Sequence, residues 1–224
     1  MKPLLVQLLL AAALSLAAAS AELKHDLYSA VVNDNGAFRV AVVDGPTLNV
    51  SFVRRWTAFQ RPPHTQFVRR GGEDTNQAFT FKYFWDKGEV VERIEFNPTG
   101  FSVFYDYTPS LEGDQSYLTL LVENNIPAGA GYQAAALRYE GQGSIDTCPF
   151  PMDERIRYSQ ISAWRKNEAV VCLAAENGAW INCWPGCFGV VNNGRSWDKT
   201  RYKAGQTYRT GVTCQITGRA SSGR

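Results

Sequence analysis

Along most of the chain, apolar and polar residues alternate one for one. The segments AFRVAVV (37–43), LNVSFV (48–53), FTFKYFW (79–85) and VVERIEF (90–96) follow this rule, as do FSVFYDY (101–107), YLTLLVE (117–123), AVVCLAA (169–175) and GVTCQI (211–216). Gly, Asn, Asp and Pro punctuate the stretches between them. Successive side chains of an extended strand point to opposite faces, so a period of two builds one dry and one wet face. Helical spacing is confined to AGYQAAALRYE (130–140). Many short strands with frequent turns predict an all-β chain: an antiparallel β-sandwich, supersandwich or jelly-roll like, with at most one short helix.

Turn residues predict register. Asn177-Gly178 and Asn193-Gly194 suit the two central positions of a type I′ hairpin, where both residues need positive φ. Trp184-Pro185-Gly186-Cys187 suits a tight turn with Pro and Gly at its centre. Together they predict a meander of four consecutive strands from about residue 169 to 200. Counting outward from Asn177-Gly178 sets Glu176 against Ala179 and Cys172 against Cys183. Directly opposed residues lie about 4.5–5.5 Å apart at Cα, within the span of a disulfide. A Cys172–Cys183 bridge is therefore expected, with two buried thiols as the alternative. The same counting sends Cys183 and Cys187 to opposite faces, which argues against a redox or metal pair.

Parity then gathers Val170, Cys172, Ala174, Ile181, Cys183, Phe188 and Val190 on one face, expected to be core. Trp180, Asn182, Trp184, Cys187, Gly189 and Val191 share the other. Two tryptophans at i and i+4 with an amide between them have the chemistry of a sugar-stacking platform, Asn182 serving the hydroxyls. Tryptophan is also highly buried on average, so the same face reads equally as sandwich interior.

The first residues, MKPLLVQLLLAAALSLAAASAE, carry Lys2, an apolar run and small residues ending Ala19-Ser20-Ala21. That is the pattern of a secretory signal peptide, cleaved after Ala21. No second apolar run is long enough for a membrane span. The expected organisation is a signal peptide over 1–21, one sandwich domain over 22–218 and a frayed tail over 219–224, in a secreted or periplasmic protein. Its 23 basic and 21 acidic residues nearly cancel, so global charge selects no partner and gives no support to nucleic acid. Five cysteines in an exported chain fit one or two bridges and a spare thiol. Asn49-Val50-Ser51 is a glycosylation sequon.

One segment breaks the balance of charge. RRWTAFQRPPHTQFVRR (54–70) holds Arg54, Arg55, Arg61, Arg69 and Arg70, and no acidic residue occurs between Asp44 and Glu73. Guanidinium forks match carboxylates and sulfates, so Arg54, Arg55, Arg69 and Arg70 could meet an anionic polysaccharide. They read equally as a solvated loop paired with nearby acids. Asp146, Asp153 and Glu154 share the longest loop, yet a glycosidase needs two carboxyl groups about 5–10 Å apart, which sequence does not set. No G-x-S-x-G elbow, phosphate-binding glycine loop or metal-ligand spacing occurs, and no cofactor or metal is expected.

The opening VVNDNGAFRVAVVDGPTLNVSF and the closing YKAGQTYRTGVTCQI are similar to the first and last strands of β-sandwich domains in carbohydrate-active proteins, the galactose mutarotase-like supersandwiches included. The resemblance implies a carbohydrate context. Mutarotases use paired histidines with a carboxylate, whereas this chain has only His25 and His64, and no catalytic residue is carried over. The expected function is carbohydrate binding without catalysis. The alternatives are a lyase or glycosidase acting on an anionic glycan, and an extracellular structural or protein-interaction module.

Overall fold

The computed structural model of the chain describes residues 20–54, 65–73, 76–85, 88–110, 113–114, 118–126, 129–141, 143–152, 156–184, 187–192 and 201–218. The leader over 1–19 and the tail over 219–224 lie outside the described residues. The first strands are β1 (Ala21–Lys24), β2 (Tyr28–Val32), β3 (Phe38–Val42) and β4 (Thr47–Arg54). Next come β5 (Thr65–Glu73), β6 (Asn76–Trp85), β7 (Gly88–Asn97) and β8 (Gly100–Pro109). The middle of the chain forms β9 (Gly113–Asp114), β10 (Leu118–Asn124), β11 (Gln133–Arg138), β12 (Ser144–Pro149) and β13 (Tyr158–Trp164). The last strands are β14 (Val170–Glu176), β15 (Trp180–Trp184), β16 (Cys187–Asn192), β17 (Arg201–Tyr202) and β18 (Tyr208–Thr217). All eight alternating segments of the sequence coincide with strands.

Every ladder is antiparallel. One hydrogen-bonded path runs β1-β2-β3-β4-β10-β16-β15-β13-β14-β18-β8-β7-β6-β5, with β11 bridging β13 and β12. It makes two large sheets packed as a sandwich. Contacts across the gap show how they face: Phe38 of β3 meets Phe96 of β7 and Phe101 of β8 edge-on, with ring centroids 5.3 and 5.1 Å apart. Alternation decides what enters this gap. Val90, Ile94 and Phe96 of β7, Phe101, Val103, Tyr105 and Tyr107 of β8, and Val212, Cys214 and Ile216 of β18 all belong to one buried apolar cluster. Each large side chain buried there contributes about 1.5–3 kcal/mol.

The helical spacing at 130–140 does not become a helix. Tyr132, Ala134 and Ala136 are buried at every second position, β11 is paired on both edges, and only Tyr139–Gly141 coils, as one 3-10 turn. Packing between two neighbouring strands overrides the local spacing.

The register prediction fails at an instructive place. Asn177 and Gly178 do adopt positive φ, 55° and 75°, and the Ala179 N–H donates to the Glu176 carbonyl across the turn at 3.2 Å. Yet β14 already has both edges filled: Cys172 lies against Ser162 of β13 and Gln215 of β18. The outgoing β15 therefore leaves β14 and pairs with Tyr158 of β13 and with β16. Cys172 and Cys183 are not opposed, and no disulfide joins them. The face assignment of β14 falls with the register, because its parity was counted across a β14–β15 pairing that does not form. Val171 and Leu173 are core, while Val170, Cys172 and Ala174 are half-buried on the outer side. In β15 the assignment is right for Ile181 and Cys183, both fully buried. Trp184 does oppose Cys187 as counted, but an irregularity between Asn182 and Trp184 sets Asn182 against Val190 instead of Gly189. The fourth strand of the predicted meander falls in 193–200, outside the described residues.

Candidate functional site

With the even positions of β8 and their neighbours turned away from the core, four strands present an ordered outer face. One row reads Glu176 of β14, Gly211 of β18, Phe104 of β8 and Arg93 of β7, each opposite the next. The row on one side reads Ala174, Thr213, Ser102 and Glu95; the row on the other includes Arg209, Asp106 and Val91. Phe104 is out of character here. Its neighbours in sequence, Val103 and Tyr105, are fully buried, whereas Phe104 is half-buried on the outer side.

Glycine explains where that ring goes. A Cβ built on Gly211 would stand 2.5 Å from Phe104 Cδ1 and 2.6 Å from the Val103 carbonyl oxygen, so the phenyl lies across the bare backbone of β18. Beside it, Arg209 grips Asp106 with two bonds, Nε donating to Oδ1 at 2.7 Å and Nη2 to Oδ2 at 2.9 Å. Arg93 Nη2 approaches the same Oδ2 at 3.3 Å. The hydrogen bond from Arg209, reinforced by the charges of Arg209 and Arg93, holds the Asp106 carboxyl below the usual range against the upward pull of burial. On the opposite side of the ring, Thr213 Oγ1 donates to Glu176 Oε1 at 3.4 Å and lies 3.3 Å from Ser102 Oγ. The face thus combines a flat aromatic ring, hydroxyls with a carboxylate on one flank, and anchored guanidinium groups on the other.

The residues expected from sequence sit elsewhere. Trp180 is 1% exposed, its Nε1–H donates to Asn182 Oδ1 at 3.0 Å, and the Arg157 guanidinium covers its ring at 4.4 Å. Tyr139 closes another side, with ring centroids 5.8 Å apart. Asn182 in turn donates through Nδ2 to the Ile156 carbonyl at 3.4 Å. This indole is enclosed by its neighbours and offers no stacking surface, which corrects the platform expectation at Trp180 and Asn182. The side chains of Trp184, Arg54, Arg69 and Arg70, and the whole of Arg55, lie outside the described residues. In backbone register, Arg54 opposes Leu118, Arg69 opposes Thr80 and Arg70 opposes Phe79. His25 is stacked on Tyr28 at 4.7 Å with its pKa lowered by burial, and His64 lies outside the described residues.

Sequence reasoning missed Phe104, Gly211, Glu176, Arg93, Asp106 and Arg209. A signal was present: in FSVFYDY, Phe104 is an aromatic at an outward position, and two strands carry arginines at positions of the same parity.

No family model matches the chain, and no curated protein matches it in sequence. Solved structures do share its fold. A galactose mutarotase-like protein from Lactobacillus casei superposes with a TM-score of 0.55 at 10% identity, over 89% of this chain and 100% of that one. A galactose mutarotase-like protein from Clostridium acetobutylicum gives 0.52 at 8% identity, over 88% and 94%. The α-N-acetylgalactosaminidase NagBb from Bifidobacterium bifidum, in complex with GalNAc, gives 0.55 at 12% identity, over 90% of this chain but 36% of the larger enzyme. The fold is the galactose mutarotase-like supersandwich.

Proposed function

We propose that the protein is exported and binds carbohydrate without transforming it, on the outer face of β14, β18, β8 and β7. The observation that supports this most is the Phe104 ring laid over Gly211 with Glu176, Thr213 and Ser102 beside it. An aromatic ring held against backbone stacks against the apolar face of a sugar, while hydroxyl and carboxylate oxygens beside it meet its hydroxyl groups. The central acid does not suit the role of a general acid: Asp106 is tied to two arginines and held ionised. Export is supported by the leader-like first 21 residues.

Glycan-array screening followed by calorimetry on the mature chain tests the reading. Phe104→Ala is expected to weaken saccharide binding about tenfold, equivalent to about 1.4 kcal/mol, whereas Trp180→Phe leaves it unchanged. Equal binding by Phe104→Ala would remove the site from this face. Failure of every saccharide to bind would favour the protein-interaction alternative, and turnover of a bound glycan would overturn the absence of catalysis.

A further inference from the structure

We infer that the saccharide taken by this face carries an anionic group, a carboxylate or a sulfate ester, seated on the guanidinium groups of Arg93 and Arg209. This deepens the carbohydrate reading and rests on it.

The charges around Phe104 are divided. Glu176 lies on the Gly211 side of the ring, and Glu95 lies one row away from Arg93 along β7, beside Ser102. On the side of the ring away from Glu176, Arg93 and Arg209 converge on the single carboxylate of Asp106. Lys82 and Glu89, farther along that side, form their own pair at 3.0 Å and cancel. Among the described residues, the two guanidinium groups of the Asp106 flank share one carboxylate, while the opposite flank presents acceptors for hydroxyl donors.

The geometry of the arginines suits an incoming anion. Asp106 is 13% exposed, but the guanidinium side chains it holds are 45% and 52% exposed. Arg209 spends Nε and Nη2 on Asp106 and keeps Nη1 for another acceptor. Arg93 makes its ionic contact to Asp106 through Nη2 alone. A guanidinium offers five N–H donors in a planar fork, so both arginines retain donors directed at carboxylate or sulfate oxygens. Anchoring by the shielded Asp106 restricts their rotamers before the ligand arrives, which lowers the ordering cost of binding. A sugar stacked on Phe104 would then lie in a set orientation, its anionic substituent over the Asp106 flank and its hydroxyls toward Glu176 and Thr213.

The test is calorimetry with matched pairs: oligogalacturonate against its methyl ester, and sulfated against unsulfated galactan. The charged member of at least one pair is expected to bind about tenfold tighter, with an advantage that shrinks between about 50 and 500 mM NaCl. The pair showing the effect identifies carboxylate or sulfate as the source. Arg93→Gln, which leaves the Arg209–Asp106 pair in place, is expected to reduce the charged-to-neutral affinity ratio to near one, and circular dichroism checks that the variant is folded. Equal affinity for charged and neutral members, with binding still dependent on Phe104, would overturn this inference and leave the carbohydrate reading intact. Persistence of the charge preference in both Arg93→Gln and Arg209→Gln would also overturn it, moving the anion elsewhere. Binding of no saccharide would remove the carbohydrate reading itself.

Discussion

Tyr28 joins the two layers of the sandwich, and removing one atom from it tests how firmly. From β2, in the first layer, its fully buried hydroxyl reaches the turn between β7 and β8, lying 2.6 Å from the Asn97 carbonyl oxygen and 2.7 Å from that of Gly100. One hydroxyl proton serves one carbonyl at a time, so the loss is counted as one hydrogen bond and not two. Tyr28→Phe keeps the ring and leaves the acceptors without this donor. A net hydrogen bond is worth about 1 kcal/mol, and stranding a buried polar partner raises the cost to about 2 kcal/mol. For a chain of this length that corresponds to a melting temperature lower by about 4–8 °C. Guanidinium titration followed by tryptophan fluorescence should show a lower midpoint at unchanged slope, because the same surface is exposed on unfolding. Burial raises the Tyr28 pKa well above that of an ordinary phenol. Its contribution is therefore complete below the unfolded-state value of about 10 and fades as pH rises beyond it. Tyr28→Phe should lack that alkaline component. A variant within about 0.5 kcal/mol of the parent at pH 7 would refute the view of this hydroxyl as a working tie between layers.

Two further outcomes follow from the charged face and the thiols. Asp106→Asn is expected to lower stability by about 1 kcal/mol at pH 7, a modest figure because half-exposed guanidinium groups are screened by solvent. A depressed carboxylate pKa stabilises above the unfolded-state value of about 4 and loses its effect as pH falls through the folded value. The gap between parent and variant should therefore close in acid titrations below about pH 4, and a gap unchanged at pH 2 would contradict the ion-pair account. Burial pushes the Cys183 thiol up to about 11 and raises Cys214 further still, while Cys148 and Cys172 are half-buried. Iodoacetamide at pH 8 should label Cys148 and Cys172 first and reach Cys183 and Cys214 only after unfolding. Recovery of a bridged Cys172–Cys183 peptide from nonreducing digests would overturn the strand order.

What was legible in the sequence was whatever depends on near neighbours. Alternation in FSVFYDY or VVERIEF is imposed by the pleat, so the strands could be read directly, whereas the inner face could not: Glu92 is buried beside Val90 and Ile94. The turn at Asn177-Gly178 was also legible, down to its two positive φ angles. A turn does not say which strand the outgoing segment will join, and that depended on β18, more than thirty residues downstream, having claimed the other edge of β14. The cysteine pairing was lost through that one distant contact. Trp180 shows the same limit from the side of function: its exposure was decided by Arg157 and Tyr139, which arrive from other segments of the chain. The candidate site was partly visible as an aromatic out of pattern at Phe104, but its meaning required the strand order that sets Gly211 beside it.

That pairing has a structural role which does not compete with a binding role. Glycine inside a strand weakens it, and a cross-strand aromatic lying over the bare backbone restores some of the lost packing. Phe104 would be favoured opposite Gly211 for that reason alone. The consequence for the surface is a phenyl ring on the outer side of the sheet, its Cδ1–Cε1 edge set against the backbone of Gly211. A larger residue at 211 would meet both the ring and the Val103 carbonyl, so the seat of the ring and sheet closure depend on the same missing Cβ. Stability and recognition then separate by substitution. Phe104→Leu should recover much of the packing over Gly211 but none of the aromatic stacking. If the face serves only to cover the glycine, this variant should resemble the parent in saccharide binding as well as in melting temperature; if it serves a sugar, stability should be largely kept while affinity falls.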